Sequence, residues 1–174
     1  MGFVGIQDQA RRTSGVPPPS LHHRKRLRWA GFDYRSSGAY FVTIVTFRRE
    51  RSLCRVVRGQ VILTPVGRVV LACWRAIPQH CLGVALDRFI IMPDHVHGIL
   101  VLADPVLTLG QVVNLFKGAA TTATTAIRAA GDRIGSVWQR GFHDRIIRGD
   151  DEWARIARYI DDNPRQWRDR PPSR

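Results

Sequence analysis

Residues 86–102 read LDRFIIMPDHVHGILVL, and no other stretch of the chain restricts the fold as much. Apolar runs at Phe89–Met92 and Gly98–Leu102 lie either side of a Pro93-Asp94 turn signal, which predicts a β-hairpin whose second strand opens at His95. Side chains alternate between faces along a strand. His95 and His97 therefore share one face, while Val96 points with the core residues to the other. Two imidazoles on a rigid strand are the minimum of a metal site, although an isolated His-x-His pair is more often surface or satisfied polar residues than ligands. The pair needs a partner from elsewhere in the chain.

Residues 151–167, DEWARIARYIDDNPRQW, offer one. Trp153, Ile156, Ala157 and Ile160 recur at helical spacing and define a core face. Asn163-Pro164 is expected to end the helix, because a residue before proline is pushed out of the α region. Glu152, Ile156, Tyr159 and Asn163 follow one another along the margin of that face, so Tyr159 reaches a groove with Asn163 one turn further on. Tyrosine at a helix margin is commonly structural; here it shares a chain with the imidazole pair.

The remaining elements fall around these two. Residues 39–47, AYFVTIVTF, are β-branched and aromatic throughout and predict a central strand, ended by the charged residues 48–51. Val61–Leu63 is a candidate short strand, and residues 66–79 predict a helix with Val69, Val70, Cys73, Trp74 and Ile77 on one side. Thr108 is a candidate N-cap for a long helix to Ala130, with Leu109, Val112, Val113, Leu115 and Phe116 as its apolar stripe and Gly131 as its stop. Arg145–Arg148 is a last strand candidate. The order is that of a split βαββαβ sheet, an α+β, ferredoxin-like antiparallel sheet with helices packed on one face, followed by the helix that bears Tyr159. Residues 1–27 carry a Pro run and a basic run without apolar periodicity, which predicts an arm with little fixed structure, either lying on nucleic acid or only solubilising; residues 28–168 form the domain and 169–174 a tail.

Four motifs stand in a fixed order: GAYFVTIVTFRR from Gly38, RFIIMPDHVHGILV from Arg88, VWQRGFHDRIIR from Val137 and ARYIDDNPRQW from Ala157. Together they resemble the single-tyrosine HUH transposases, and more narrowly the bacterial REP-associated tyrosine transposases, over about residues 26–168. The resemblance implies an enzyme that cuts and rejoins single-stranded DNA at short imperfect hairpins through a 5′-phosphotyrosine bond, with Tyr159 as nucleophile. A phenol, with its usual pKa near 10, attacks poorly unless a cation favours phenolate and draws charge from the phosphate. His95, His97 and the Asn163 amide are the ligands this implies, for Mg²⁺ or, better matched to nitrogen, Mn²⁺. Asn163 has a second reading as a helix cap before Pro164. Asp94 reads as a turn residue or as a group that orients an imidazole, and Glu152 as a first-turn charge facing the helix dipole. Gln139 and His143 read as packed-loop residues or as contacts to the site. Two alternatives remain: a nucleic-acid-binding module of the same fold without chemistry, and a metal-dependent hydrolase in which water attacks.

Charge fits a polyanionic partner, since 27 Lys and Arg against 14 Asp and Glu leave a formal +13 over 174 residues, and each neutralised phosphate releases counterions. That balance alone leaves membrane surfaces and ribosomal RNA open. Arg26, Arg28, Arg48, Lys117 and Arg140 are the candidate contacts to single-stranded or hairpin DNA because they adjoin the four motifs, with Trp29 and Phe142 as candidate stacking or core residues. Three cysteines without C-x-x-C spacing predict reduced, indifferent thiols. No run reaches the length of a membrane span, so a cytoplasmic protein, monomeric or homodimeric, is expected.

Overall fold

Strand-forming and helix-forming stretches alternate along the chain, and the computed structural model, which describes residues 37–130 and 135–167, shows how they assemble. The expected arm at 1–27, the tail at 169–174 and Gly131 lie outside the described residues. Strand β1 is Gly38–Val45, followed by a 3-10 turn, Phe47–Arg49. Strands β2, Cys54–Val57, and β3, Gln60–Leu63, form a separate antiparallel hairpin. Helix α1 is Pro65–Arg75, helix α2 Ile77–His80, strand β4 Val84–Ile91, strand β5 His95–Leu102, helix α3 Leu109–Ala129, strand β6 His143–Ile147 and helix α4 Asp150–Gln166.

The main sheet runs β4-β5-β1-β6, antiparallel at every junction. With the β2–β3 hairpin set aside as an insertion, this is the strand order of the split βαββαβ unit. Its two central strands bury both faces. Val96, Leu100 and Leu102 of β5, with Tyr40, Val42 and Ile44 of β1, pack against Val70 and Trp74 of α1 and Val112, Val113 and Phe116 of α3. On the opposite face Ile99 and Ile147 meet Ile156 and Ile160 of α4, flanked by Phe41, Ile90, Val101 and Trp153. Each buried isoleucine contributes roughly 1.5–3 kcal/mol, and these four hold α4 across the sheet.

Local signals explain most boundaries. Thr64 accepts a hydrogen bond from the Gly67 amide, with Pro65 opening α1. Thr108 caps α3 as the sequence predicts, and Gln111 completes a reciprocal capping box that the sequence reading did not include. Four expectations are corrected. The helix expected over 66–79 breaks at Ala76 into α1 and α2. Cys54–Val57 is a strand in the stretch that follows the charged turn, paired to the expected short strand. Leu115 is exposed at 53 %, because the stripe that faces the sheet is Leu109, Val112, Val113 and Phe116. Finally, α4 continues through Pro164 to Gln166. Proline there removes one hydrogen bond near the helix end, but its ring is buried, and that packing retains the last turn.

Candidate active site

The β5 hairpin turns at residues 92–94, closed by the Met92 amide donating to the His95 carbonyl at 2.9 Å, so β5 opens on His95. Alternation then aims His95 and His97 at the α4 face. Their Nε2 atoms lie 3.1 Å apart. His97 is 5 % exposed and is fixed on three sides. Its Nδ1 lies 2.9 Å from Thr43 Oγ1, Phe41 stacks on its ring at 5.2 Å, and Tyr159 Oη stands 3.5 Å from its Nε2. Register sets the first two: Thr43 is the direct partner of His97 across the β1–β5 ladder, and Phe41 of Ile99.

Tyr159 comes from α4, whose buried Ile156 and Ile160 bracket it. Phe41 meets its ring edge-on at 6.0 Å, yet the tyrosine stays 45 % exposed. The tyrosine is thus held at its ring by Phe41 while nearly half of the residue stays open to solvent. On the other side of His95, Asp94 Oδ1 lies 2.5 Å from Nδ1, Arg49 reaches Asp94 Oδ2 at 3.6 Å, and Trp167 stands 6.1 Å away with the Arg51 guanidinium 5.6 Å from its ring.

Electrostatics favour a neutral His97. Burial, reinforced by the neighbouring His95 ring, pushes its pKa down to about 3, while Asp94 acts weakly the other way. The tautomers in which Nδ1 of His95 donates to Asp94 and Nδ1 of His97 donates to Thr43 leave both Nε2 lone pairs free, on atoms 3.1 Å apart. Two nitrogens on one divalent ion at right angles, each at about 2.1 Å, stand about 3 Å apart. The observed separation suits such an ion, which the imidazole pair would hold with open positions. Among the described residues no group of three His, Cys, Asp or Glu side chains forms a complete cage.

The other expected residues fall in different places. Asn163 is half-buried on α4, one turn past Tyr159, and because the helix runs on to Gln166 it is not the terminal cap. Arg48 is exposed, at φ +51°, with its guanidinium 5.1 Å from the Phe47 ring. Arg140 is exposed and lines a shallow concavity with Val45, Gln139, Gly141, Phe142 and His143. Lys117 departs from expectation: its ammonium donates to the Gln139 and Gly141 carbonyls, each at 2.8 Å, so it is engaged with the chain's own loop. Arg26, Arg28 and Trp29 lie outside the described residues. Glu152 accepts from the Arg148 amide at 2.8 Å and pairs with Arg145 at 2.6 Å, tying β6 to the first turn of α4. The cysteines are free, and burial followed by the Asp94 charge raises the Cys54 thiol to about 12. Sequence reading did not find Thr43, Phe41, Arg49 or Trp167 as neighbours of the site. A polar Thr43 between apolar residues of a central strand was the one available signal.

The fold is shared with solved transposases. The structure of a REP-associated tyrosine transposase bound to a REP hairpin matches with a TM-score of 0.58 at 18% identity, over 79% of this chain and 73% of that one. A Deinococcus radiodurans protein assigned as a transposase matches with a TM-score of 0.51 at 21% identity, over 76% of this chain and 95% of that one. An uncharacterised Haemophilus influenzae protein is 31% identical over 168 residues, 84% of this chain and 91% of its own length. Residues 52–163, a span that contains the imidazole pair, Tyr159 and Asn163, match the IS200-like transposase family. The chain belongs to that family. Among the described residues no helix is long and apolar enough to cross a membrane.

Proposed function

We propose that this protein is a REP-associated tyrosine transposase that cuts and rejoins single-stranded DNA at hairpin sequences, with Tyr159 as its nucleophile. Support comes from one geometry: the His95 and His97 Nε2 atoms are 3.1 Å apart, and Tyr159 Oη lies 3.5 Å from the second of them. The relative solved with a REP hairpin and the +13 charge support DNA as the partner.

In the forward step Tyr159 Oη attacks phosphorus in line. The Oη–P bond forms and the P–O3′ bond breaks, leaving a 5′-phosphotyrosine. The phenolic proton passes to solvent, and the departing oxygen takes up a proton as a free 3′-hydroxyl. Attack by another 3′-hydroxyl reverses these changes and joins the strands. One phosphodiester replaces another, so no nucleotide hydrolysis is required. His95, His97 and the Asn163 amide oxygen would hold Mg²⁺ or Mn²⁺, which supplies Lewis-acid charge to the phosphate oxygens. The chain's own residues do the positioning. Asp94 and Thr43 orient the two imidazoles, Phe41 sets the angle between His97 and Tyr159, and Ile156 and Ile160 hold the phenol over the strand.

A 3′-labelled single-stranded hairpin incubated with Mg²⁺ or Mn²⁺ tests this. The label is expected to migrate with the protein on a denaturing gel, and Tyr159→Phe is expected to bind the hairpin without forming that adduct. Binding by the wild type with no cleavage would favour a DNA-binding module, and full cleavage by Tyr159→Phe would establish a hydrolase that uses water.

A further inference from the structure

Immediately after β1 the chain makes a short basic turn, Phe47–Arg49, and this turn is pinned to the hairpin that carries the imidazoles. Thr46 is fully buried and donates its amide to the Asp94 carbonyl at 2.9 Å. Its hydroxyl lies 2.9 Å from the same carbonyl and 2.8 Å from that of Glu50. On the far side of the turn the Leu53 amide donates to the Pro93 carbonyl at 3.2 Å. Arg48 and Arg49 are held between these ties at φ +51° and +54°, a left-handed backbone that L side chains seldom adopt.

That conformation delivers Arg49 to the edge of the site. Its guanidinium reaches Asp94 Oδ2 at 3.6 Å, while the other oxygen of the same carboxylate holds His95 Nδ1. The Arg49 side chain is nevertheless 62% exposed, and an ion pair so open to water returns little. Two adjacent left-handed arginines cost more than it returns. Asp94 therefore does not account for the turn. A metal ion does not account for it either. Arg51 places its guanidinium 5.6 Å from the Trp167 ring, which stands 6.1 Å from His95, so two cations flank the imidazole pair and repel any divalent ion held there. An anion lying along the same edge reverses the sign.

We propose that Arg49 grips a phosphate of the DNA strand next to the one that Tyr159 attacks, as a substrate-positioning residue. Nε2 of His95 points away from Asp94, so the carboxylate and the imidazole ring stand between Arg49 and the attacked phosphate. The neighbouring phosphate is then the group within its range. A guanidinium suits it, because the planar fork takes two phosphate oxygens at once. The bound strand carries negative charge past both arginines and offsets their repulsion of the ion. Held at two successive phosphates, it presents phosphorus in line with Tyr159 Oη. The proposal rests on the single-stranded DNA reading above for the identity of its ligand.

The test uses a hairpin oligonucleotide selected for binding to the full-length wild type from a pool with randomised single-stranded flanks. A series of copies carries one uncharged methylphosphonate at each flank position in turn. Binding is measured with Mn²⁺ for wild type, Arg49→Gln and Arg49→Lys, and the cleaved position is read from adducts of the unmodified DNA. At one position beside the cleaved phosphate the neutral linkage is expected to weaken the wild type about tenfold and Arg49→Gln about twofold or less. Arg49→Lys, a point charge without the fork, is expected to fall between them. Arg49→Gln is also expected to keep the wild-type melting temperature and, without DNA, an Mn²⁺ dissociation constant within about threefold of wild type. Equal losses in wild type and Arg49→Gln at every position, or a coupled position away from the cleaved phosphate, overturn the grip, and adducts in the same experiment leave the tyrosine chemistry standing. A coupled position with no adduct from any protein supports the grip and overturns the chemistry. An Mn²⁺ affinity in Arg49→Gln that falls by about 10- to 100-fold, as for a lost orienting contact, makes Arg49 a prop for Asp94 and overturns the grip.

Discussion

Asp94 Oδ1 lies 2.5 Å from His95 Nδ1, so the imidazole donates its Nδ1 proton to the carboxylate and keeps its Nε2 lone pair for the shared point with His97. Burial alone would raise the Asp94 carboxyl. The hydrogen bond from His95, helped by the Arg49 guanidinium, outweighs that and holds it below the usual carboxylate range. The turn residue Asp94 thereby fixes the orientation of the His95 ring.

Asp94→Asn keeps the shape of this contact and removes its charge. Loss of such an orienting carboxylate typically costs 10- to 100-fold in metal affinity, and that range is expected for Mn²⁺ measured by calorimetric titration. A dissociation constant within threefold of wild type would show that Asp94 only makes the turn.

Mn²⁺ bound to the folded state alone stabilises it by about 2.7 kcal/mol at a hundredfold excess over its dissociation constant. For a chain of this size that is a rise of roughly 5–10 °C in melting temperature. His95→Ala and His97→Ala are each expected to abolish the rise. Asn163→Ala decides the third ligand: an undiminished rise would exclude the Asn163 amide, and a smaller one would place it on the ion.

Much of this arrangement was legible in the chain because it depends on local periodicity. Alternation from His95 to Leu102 predicts which residues face α4, and the helical spacing of Ile156 and Ile160 predicts that Tyr159 lies at the edge of a buried face. What escaped depends on pairing between distant segments. Thr43 meets His97 only through the β1–β5 register, and no pattern within either strand encodes that register. Lys117 reads as a surface cation until the loop at 139–141 folds over it. Pro164 reads as a stop signal because local preference disfavours proline within a helix, and burial of its ring overrides that preference.

Gly98 is a case where a tertiary approach dictates the residue. A Cβ there would stand 2.5 Å from Trp74 Cζ2 and 3.0 Å from Phe89 Cδ2, two rings already stacked at 4.3 Å. Gly98→Ala forces the ring pair or the strand to move, at a cost of about 1–3 kcal/mol. Because His97 is the preceding residue, a shift of β5 also disturbs the imidazole pair. A lower melting temperature together with weaker Mn²⁺ binding is expected. A melting temperature equal to wild type would show that the rings part without cost.

Acid should weaken the metal-free fold through His97. In the folded protein its imidazole takes a proton only near pH 3, whereas in the unfolded chain it does so near the ordinary value of 6.5. Between those values the unfolded state binds more protons, so stability falls as pH is lowered across the interval, by at most about 1.4 kcal/mol per pH unit. The lowered Asp94 carboxyl adds a loss of the same sign as pH falls through its folded value. Melting temperatures in chelator are therefore expected to decline from pH 7 toward pH 4.5, and less steeply in His97→Asn. Parallel profiles for the two proteins would mean that the buried imidazole is not held neutral, and the convergence of two lone pairs on one cation would lose its basis.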